Sequence, residues 1–210
     1  MSELNDELEL LSSGNADSVA EVFSRYQEKL QRMVRFRLDR RLYGRVDTGD
    51  VLQDVWLEAS RRIEDYTSNP AVPFFVWLRQ LAYQIIIDLH RRHLGAKKRN
   101  VSQEVSLGRQ RGDQTSVSMA ARLVGDLTSP SQAAMREERL GQLRQALEGM
   151  DEIDREVLAL RHFEELGNNE VAEILGLQKT AASNRYIRAL KRLKQVLEEI
   201  PDLAGEAQEE

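Results

Sequence analysis

The groups best able to do chemistry in this chain lie between residues 179 and 192: Lys179, Thr180, Ser183, Asn184, Arg185, Ile187, Arg188, Lys191 and Arg192. No acid falls between Lys179 and Lys194. Such a set binds and does not transform. Cations neutralise phosphate, and the paired donors and acceptors of a base edge match an amide or a guanidinium. Asn184 suits adenine and Arg188 suits guanine. Arg185, Lys191 and Arg192 suit phosphate, which positions without specifying. For Arg192 and Lys194, late in the segment, plain solvation is the competing account.

A helix must carry these groups. Ala182, Tyr186, Ala189, Leu190, Leu193 and Leu197 recur at roughly helical spacing, opposite the cations. Upstream, Val171, Ala172, Ile174 and Leu175 form a second stripe, cut by Gly176 and followed by Leu177 and Gln178. Two helices joined by a short glycine-containing turn predict a helix-turn-helix that binds DNA. The bland alternative is a helical hairpin with a solvated basic face.

Two further constellations precede it. Asp50, Gln53 and Asp54 fall at i, i+3 and i+4, so they share one helical face while Val51, Val55 and Ala59 share another. A face of carboxylates and an amide suits a basic partner surface; for Asp47 and Asp50, compensation of the helix dipole is the competing account. Farther on, Arg79, Gln80, Tyr83, Gln84, Ile87, Asp88 and Arg91 predict a wet helical face suited to stacking and hydrogen bonding with unpaired bases. Trp77 fits the core better than a stacking platform. Ile87 could meet a thymine methyl or pack on the first helix.

Composition bounds the rest. The 210 residues are 41% hydrophobic and 31% charged, with four prolines and no long β-branched runs, so an all-α protein is expected. The formal net charge of −5 conceals segregation: bases crowd Arg32 to Arg45, Arg91 to Arg99 and Lys179 to Lys194, while acids crowd the two ends. Local charge governs phosphate binding within a Debye length of about 8 Å. The absence of cysteine excludes disulfides and thiolate chemistry. His90, His93 and His162 are too few for a metal cluster, and His90 and His93 read as phosphate neighbours or solvated ends. No phosphate-cradling loop or nucleophile elbow occurs, so neither catalysis nor a cofactor or metal is expected. With no signal segment and no bilayer-length apolar run, a soluble cytoplasmic protein is expected.

The expected organisation is an acidic segment (1–15), a helical domain (16–92), a flexible linker (93–128), a four-helix domain containing the helix-turn-helix (129–197) and an acidic tail (198–210). In the first domain, Ala20, Val22, Phe23, Tyr26, Leu30, Met33, Val34 and Phe36 mark an amphipathic helix. Thr48 is the expected N-cap of a second helix carrying Val51, Leu52, Val55, Trp56 and Ala59. Residues 67–73 are an expected loop, with Pro73 at the first position of a third helix that buries Trp77, Leu78, Leu81, Ala82, Ile85 and Leu89. Inside the linker, Val117, Ala120, Ala121, Leu123, Val124 and Leu127 could form a short docking helix. Ser129-Pro130 is the expected start of the last domain.

Several motifs in this order resemble the extracytoplasmic-function group of the sigma-70 family of bacterial initiation factors. They are Asp47-Thr48-Gly49-Asp50-Val51-Leu52-Gln53-Asp54-Val55-Trp56, then Phe74 through Arg92, then Ile153 through Phe163, and the helix-turn-helix. The resemblance implies core RNA polymerase (its β′ and β subunits) and promoter DNA as partners, with an anti-sigma factor in many members. It implies polymerase binding by Asp47, Asp50, Gln53 and Asp54. It implies minus-ten binding by Tyr66, Asn69, Arg79, Tyr83, Gln84, Asp88 and Arg91, and minus-thirty-five binding by the residues of 179–192 named above. Ser183 departs from the family, standing where a base-reading cation is common. The rival readings are a conventional helix-turn-helix regulator with a helical sensor or dimerisation domain, and a helical adaptor that docks a protein through the Asp50 face.

Overall fold

The computed structural model describes residues 2–12, 15–94, 115–124 and 133–200, and all regular structure among them is helical. The chain divides into two compact units, Met1–Val101 and Ser102–Glu210.

In the first unit, α1 (Ser2–Ser12) precedes α2 (Ala16–Arg37), a 3-10 turn (Arg40–Leu42), α3 (Thr48–Ser68) and α4 (Phe74–Leu94). The acidic start of the chain is therefore a helix: Leu11 is buried and Glu7 accepts from the Tyr26 hydroxyl at 2.6 Å. Asn15 caps α2 by accepting from the Asp17 amide. The α2 core face is Val19, Val22, Phe23, Leu30, Met33, Val34 and Phe36, while Ala20 is exposed. The N-cap of α3 is Asp47, not Thr48. Its carboxylate accepts from the Gly49 amide at 3.0 Å, where the helix dipole also favours a negative charge.

The loop before α4 spans only 69–73, because α3 continues to Ser68. Pro73 stands just before α4, its carbonyl accepting from the Trp77 amide at 3.1 Å. From α4, Phe74, Leu78, Leu81, Ala82, Ile86 and Leu89 enter the core, and Ile86 replaces the expected Ile85, which is half-buried. An aromatic cluster closes this end: Tyr66 stacks on Trp77 at 4.7 Å and lies 5.5 Å from Phe74.

The second unit holds α5 (115–124), α6 (Ala133–Glu148), α7 (Glu152–Leu158), a π turn (Ala159–Phe163), α8 (Asn168–Leu175) and α9 (Lys179–Glu198). Helix α5 lies inside the stretch expected as linker, and it docks: Thr115 donates to the Glu156 carboxylate at 3.0 Å. Met119, Ala120 and Val124 are its buried apolar side, whereas Val117 is exposed. The expected start at Ser129-Pro130, the docking role of Leu127 and the tail beyond Ile200 lie outside the described residues. Buried Arg155 ties α7 to the end of α6. Its Nη1 donates to the carbonyls of Leu147, Glu148 and Met150 at 2.9, 3.0 and 2.6 Å, satisfying acceptors that a helix terminus leaves open.

Candidate nucleic-acid interface

The helix-turn-helix is built by short-range backbone chemistry. Gly167 begins α8 with extended backbone (φ −66°, ψ 158°), and its amide donates to Glu170 at 2.8 Å. This is the acidic half of a capping box; glycine has no side chain for the other half. Gly176 ends the helix at φ +63°, where an L side chain would be strained. The Leu177 amide then bonds the Ala172 carbonyl at 2.8 Å, and the Gly176 amide the Glu173 carbonyl at 3.3 Å. These two bonds turn the chain into α9. The turn is locked from outside by Asn168, whose amide donates to the Lys179 carbonyl at 2.9 Å.

Helix α9 buries Ala182, Ala189 and Val196, spaced by seven. Val196 takes the place expected for Leu197, which is half-buried. Outward, Thr180, Asn184, Ile187, Arg188 and Lys191 are exposed and Ser183 is half-exposed, forming one stripe at i, i+3, i+4, i+7, i+8 and i+11. Lys179 and Arg192 flank it, both exposed. Ile187 is 53% exposed amid these polar groups.

Two of the expected cations are tied to α7, and one of them is drawn inward. Arg185 was expected as a phosphate anchor, but it is half-buried and donates through Nη1 to Asp154 at 2.7 Å and Asp151 at 3.1 Å. Arg188 also pairs with Asp154, Nε to Oδ2 and Nη2 to Oδ1, both at 2.9 Å. Asp154, on α7, is buried. Burial pushes its carboxyl up, hydrogen bonds and charges from Arg188 and Arg185 pull it down, and the balance lies below the ordinary aspartate range. The same pair raises Arg188. Thirty or so residues separate these partners, so no local spacing could reveal them. Tyr186 completes the attachment, its hydroxyl 2.9 Å from His162 Nε2 and its ring 4.9 Å from the Arg161 guanidinium.

In the first unit, the expected wet face of α4 is partly wrong. Gln80, Gln84, Asp88 and Arg91 are exposed, but Arg79 and Tyr83 are buried and Ile87 is half-buried. Residues 79, 82, 83 and 86 share an inward face. Arg37, at the end of α2, lies with its guanidinium 6.0 Å from the Tyr83 ring. Tyr66 is also buried: its hydroxyl donates to the Val72 carbonyl at 2.9 Å, bracing the loop, and burial with the Glu7 charge pushes its phenol up to about 12. Asn69 is exposed at the loop tip. His90, expected near solvent or phosphate, is buried and accepts from the Asp39 amide at 3.1 Å; burial, resisted by Asp39 and reinforced by Arg41, lowers its pKa.

On α3, Asp47, Asp50, Gln53 and Asp54 are all exposed. Leu57, 44% exposed, continues that face at i+7 from Asp50 and was not singled out in the sequence. Its spacing of i+4 from Gln53 and i+3 from Asp54 is the signal that could have found it.

A unit with an outward acidic and amide face, followed by a helix-turn-helix with a cationic reading helix, defines a transcription protein that meets both a protein and DNA. Two family descriptions match it in order: Sigma-70 region 2 over residues 22–94, and Sigma-70, region 4 over residues 140–193. The chain belongs to the sigma-70 family, in its extracytoplasmic-function group. It is 23% identical to the ECF RNA polymerase sigma factor SigW of Bacillus subtilis, over 90% of this chain and 94% of that protein. It is 28% identical to RNA polymerase sigma factor CnrH of Cupriavidus metallidurans, over 72% of this chain and 74% of that one. A solved structure of CnrH in complex with the cytosolic domain of CnrY has the same fold, with a TM-score of 0.51 at 22% identity, covering 94% of this chain and 98% of that chain. No helix among the described residues is long and apolar enough to cross a membrane.

Proposed function

We propose that the two units divide the work of a sigma factor, which binds core RNA polymerase, recognises and opens promoters, and leaves the chemistry to polymerase. Asp50, Gln53, Asp54 and Leu57 on α3 form the polymerase-binding face, with Asp47 at its start holding the helix end. The tip of the 69–73 loop, with Asn69, and the α4 stripe of Gln84, Asp88 and Arg91, to which we add Gln80, hold the opened minus-ten strand. Tyr66, Arg79 and Tyr83 support that surface from behind. On α9, Asn184, Ile187 and Arg188 read the minus-thirty-five bases, with Thr180 and Ser183 beside them, while Lys179, Lys191 and Arg192 neutralise phosphate. Arg185 anchors the helix to its own domain. Work on the chromosome with polymerase places the protein in the cytoplasm.

The observation that carries this reading is the exposed stripe of α9, polar and cationic but for Ile187, in a chain that also carries region 2. A conventional helix-turn-helix regulator would bind DNA without polymerase, commonly as a dimer on a palindrome.

The test is a titration of core polymerase with the full chain, followed by transcription from a promoter library. Asp50→Ala combined with Gln53→Ala should weaken polymerase binding about thirtyfold or more, the scale of an interface hot spot near 2 kcal/mol. Circular dichroism should be unchanged. Equal affinity of variant and wild type, with normal helicity, would remove α3 from the interface.

A further inference from the structure

The pairing of Arg188 with Asp154 is more than an anchor. A guanidinium has a side edge, Nε with Nη2, and an end edge, Nη1 with the outer hydrogen of Nη2. Asp154 takes the side edge with both oxygens at 2.9 Å. The end edge is left over, and the Arg188 side chain is 61% exposed while that of Asp154 is 8% exposed. The carboxylate is therefore inside the domain and the free edge outside it, on the same stripe as Asn184, Ile187 and Lys191.

Asp154 is itself held. Its amide donates to the N-cap carboxylate of Asp151 at 3.2 Å, and its Oδ1 also accepts from Arg185 at 2.7 Å. A carboxylate restrained by its own helix start and by a second arginine can fix the plane of Arg188, because a two-bond fork specifies direction as well as distance. Arg185 and Arg188 together offset Asp151 and Asp154, so the cluster need not repel an approaching phosphate.

We propose that Asp154 is a positioning residue for base recognition: it aims the end edge of Arg188 into the DNA groove and so sharpens the choice of one base pair. Guanine, with O6 and N7 as neighbouring acceptors, is the base edge that fits. This rests on reading α9 as the DNA-facing helix. An arginine aimed beforehand loses less side-chain freedom on binding than one that must be ordered by the DNA. Asp154 touches no DNA in this scheme; it acts through Arg188.

Holoenzyme reconstituted from the full chain and core polymerase would be assayed on a promoter library randomised across the minus-thirty-five element. Arg188→Ala identifies the base pair that Arg188 reads. Asp154→Asn keeps the volume but offers one acceptor oxygen in place of two. It should reduce preference at that same base pair about fivefold or more, a part of the discrimination a bidentate pair supplies, and leave the other positions within about twofold. The double variant should lose no more preference there than Arg188→Ala alone. A uniform loss across all sequences, or an unchanged preference, would reduce Asp154 to a structural clamp and overturn the proposal. If Arg188→Ala itself leaves every preference intact, the base-reading role of Arg188 fails first, and the two failures are thereby told apart. Should Asp154→Asn melt below the assay temperature, Arg188→Lys gives the second measurement. One ammonium cannot present both edges, so preference should vanish while the salt dependence stays; a lysine variant that keeps the preference would overturn the proposal.

Discussion

Helices α4 and α9 carry the two stripes proposed above to meet promoter DNA, yet they are held by opposite means. Helix α4 is packed between α2 and α3 through Phe74, Phe75, Val76, Leu78, Leu81, Ala82, Ile86 and Leu89, all buried. Helix α9 fully buries three small or branched residues, keeps Leu190, Leu193 and Leu197 half-buried, and is further fastened by polar groups: Arg185 and Arg188 to Asp154, Tyr186 to His162, and the Asn168 amide to its first carbonyl. An apolar clamp hides polar residues of the clamped helix. A polar clamp leaves the opposite face open and settles the direction of the groups it holds.

This contrast can be broken by substitution. Phe74→Ala should cost the first unit about 3–5 kcal/mol, the range for removing a fully buried aromatic, and leave the melting of the second unit alone. Calorimetry of the full chain would resolve the two units. A loss below about 1 kcal/mol would mean that the aromatic cluster is not the clamp. Arg155→Met should cost the second unit about 2–3 kcal/mol, because two carbonyls at the end of α6 and the Met150 carbonyl just after it lose a charged donor that methionine cannot replace. A variant as stable as wild type would show that polar fastening is dispensable there. The next effect has the other sign. Gly167→Ser should stabilise the second unit by up to about 1 kcal/mol by completing the capping box. The backbone there is extended, and an added Cβ would sit 3.4 Å from Glu170 Oε2, an ordinary contact. A lowered melting temperature would show that the Glu170 carboxylate cannot move aside.

The smallest effect is one of pH and belongs to the apolar unit. His90 is neutral when it accepts from the Asp39 amide, and its folded pKa is lowered. The unfolded chain therefore takes up the proton first. The stability due to neutral His90 is complete above the ordinary histidine value of 6.5 and falls as pH drops through and below it. His90→Gln, an acceptor without that titration, should flatten the acid limb of the melting curve of the first unit. An unchanged slope would place the acid sensitivity elsewhere.

The same contrast explains what was legible in the sequence. The limits of α8 and α9 were readable because Gly176 takes a positive φ and the apolar stripe is one-sided. Helix α4 has apolar residues at 74–78, 81, 82, 85–87 and 89, too many to mark a single inward stripe, so Arg79 and Tyr83 were assigned to the wrong side. Leu57 was left unassigned because the partner face was traced by its carboxylates and amide, and an apolar side chain adds nothing to that signal. The Asp154 cluster was hidden by distance along the chain, with 31 and 34 residues between partners. Periodicity describes one helix at a time, and that site belongs to two.

After Leu158, helix α7 passes into the π turn, where the Glu164 amide reaches back five residues to Ala159. Such a turn holds one residue more than an α-turn. It therefore serves as a slack link in the counting of side chains: everything beyond it arrives rotated relative to what an unbroken α-helix would deliver. Glu164 and Leu166 come to lie inside the domain, and Glu165 takes φ +56° to let the chain out. The residues ahead of the turn can thus keep step with Arg185 and Arg188, while those behind it keep step with the start of α8. Two incompatible rhythms are reconciled by a single surplus residue.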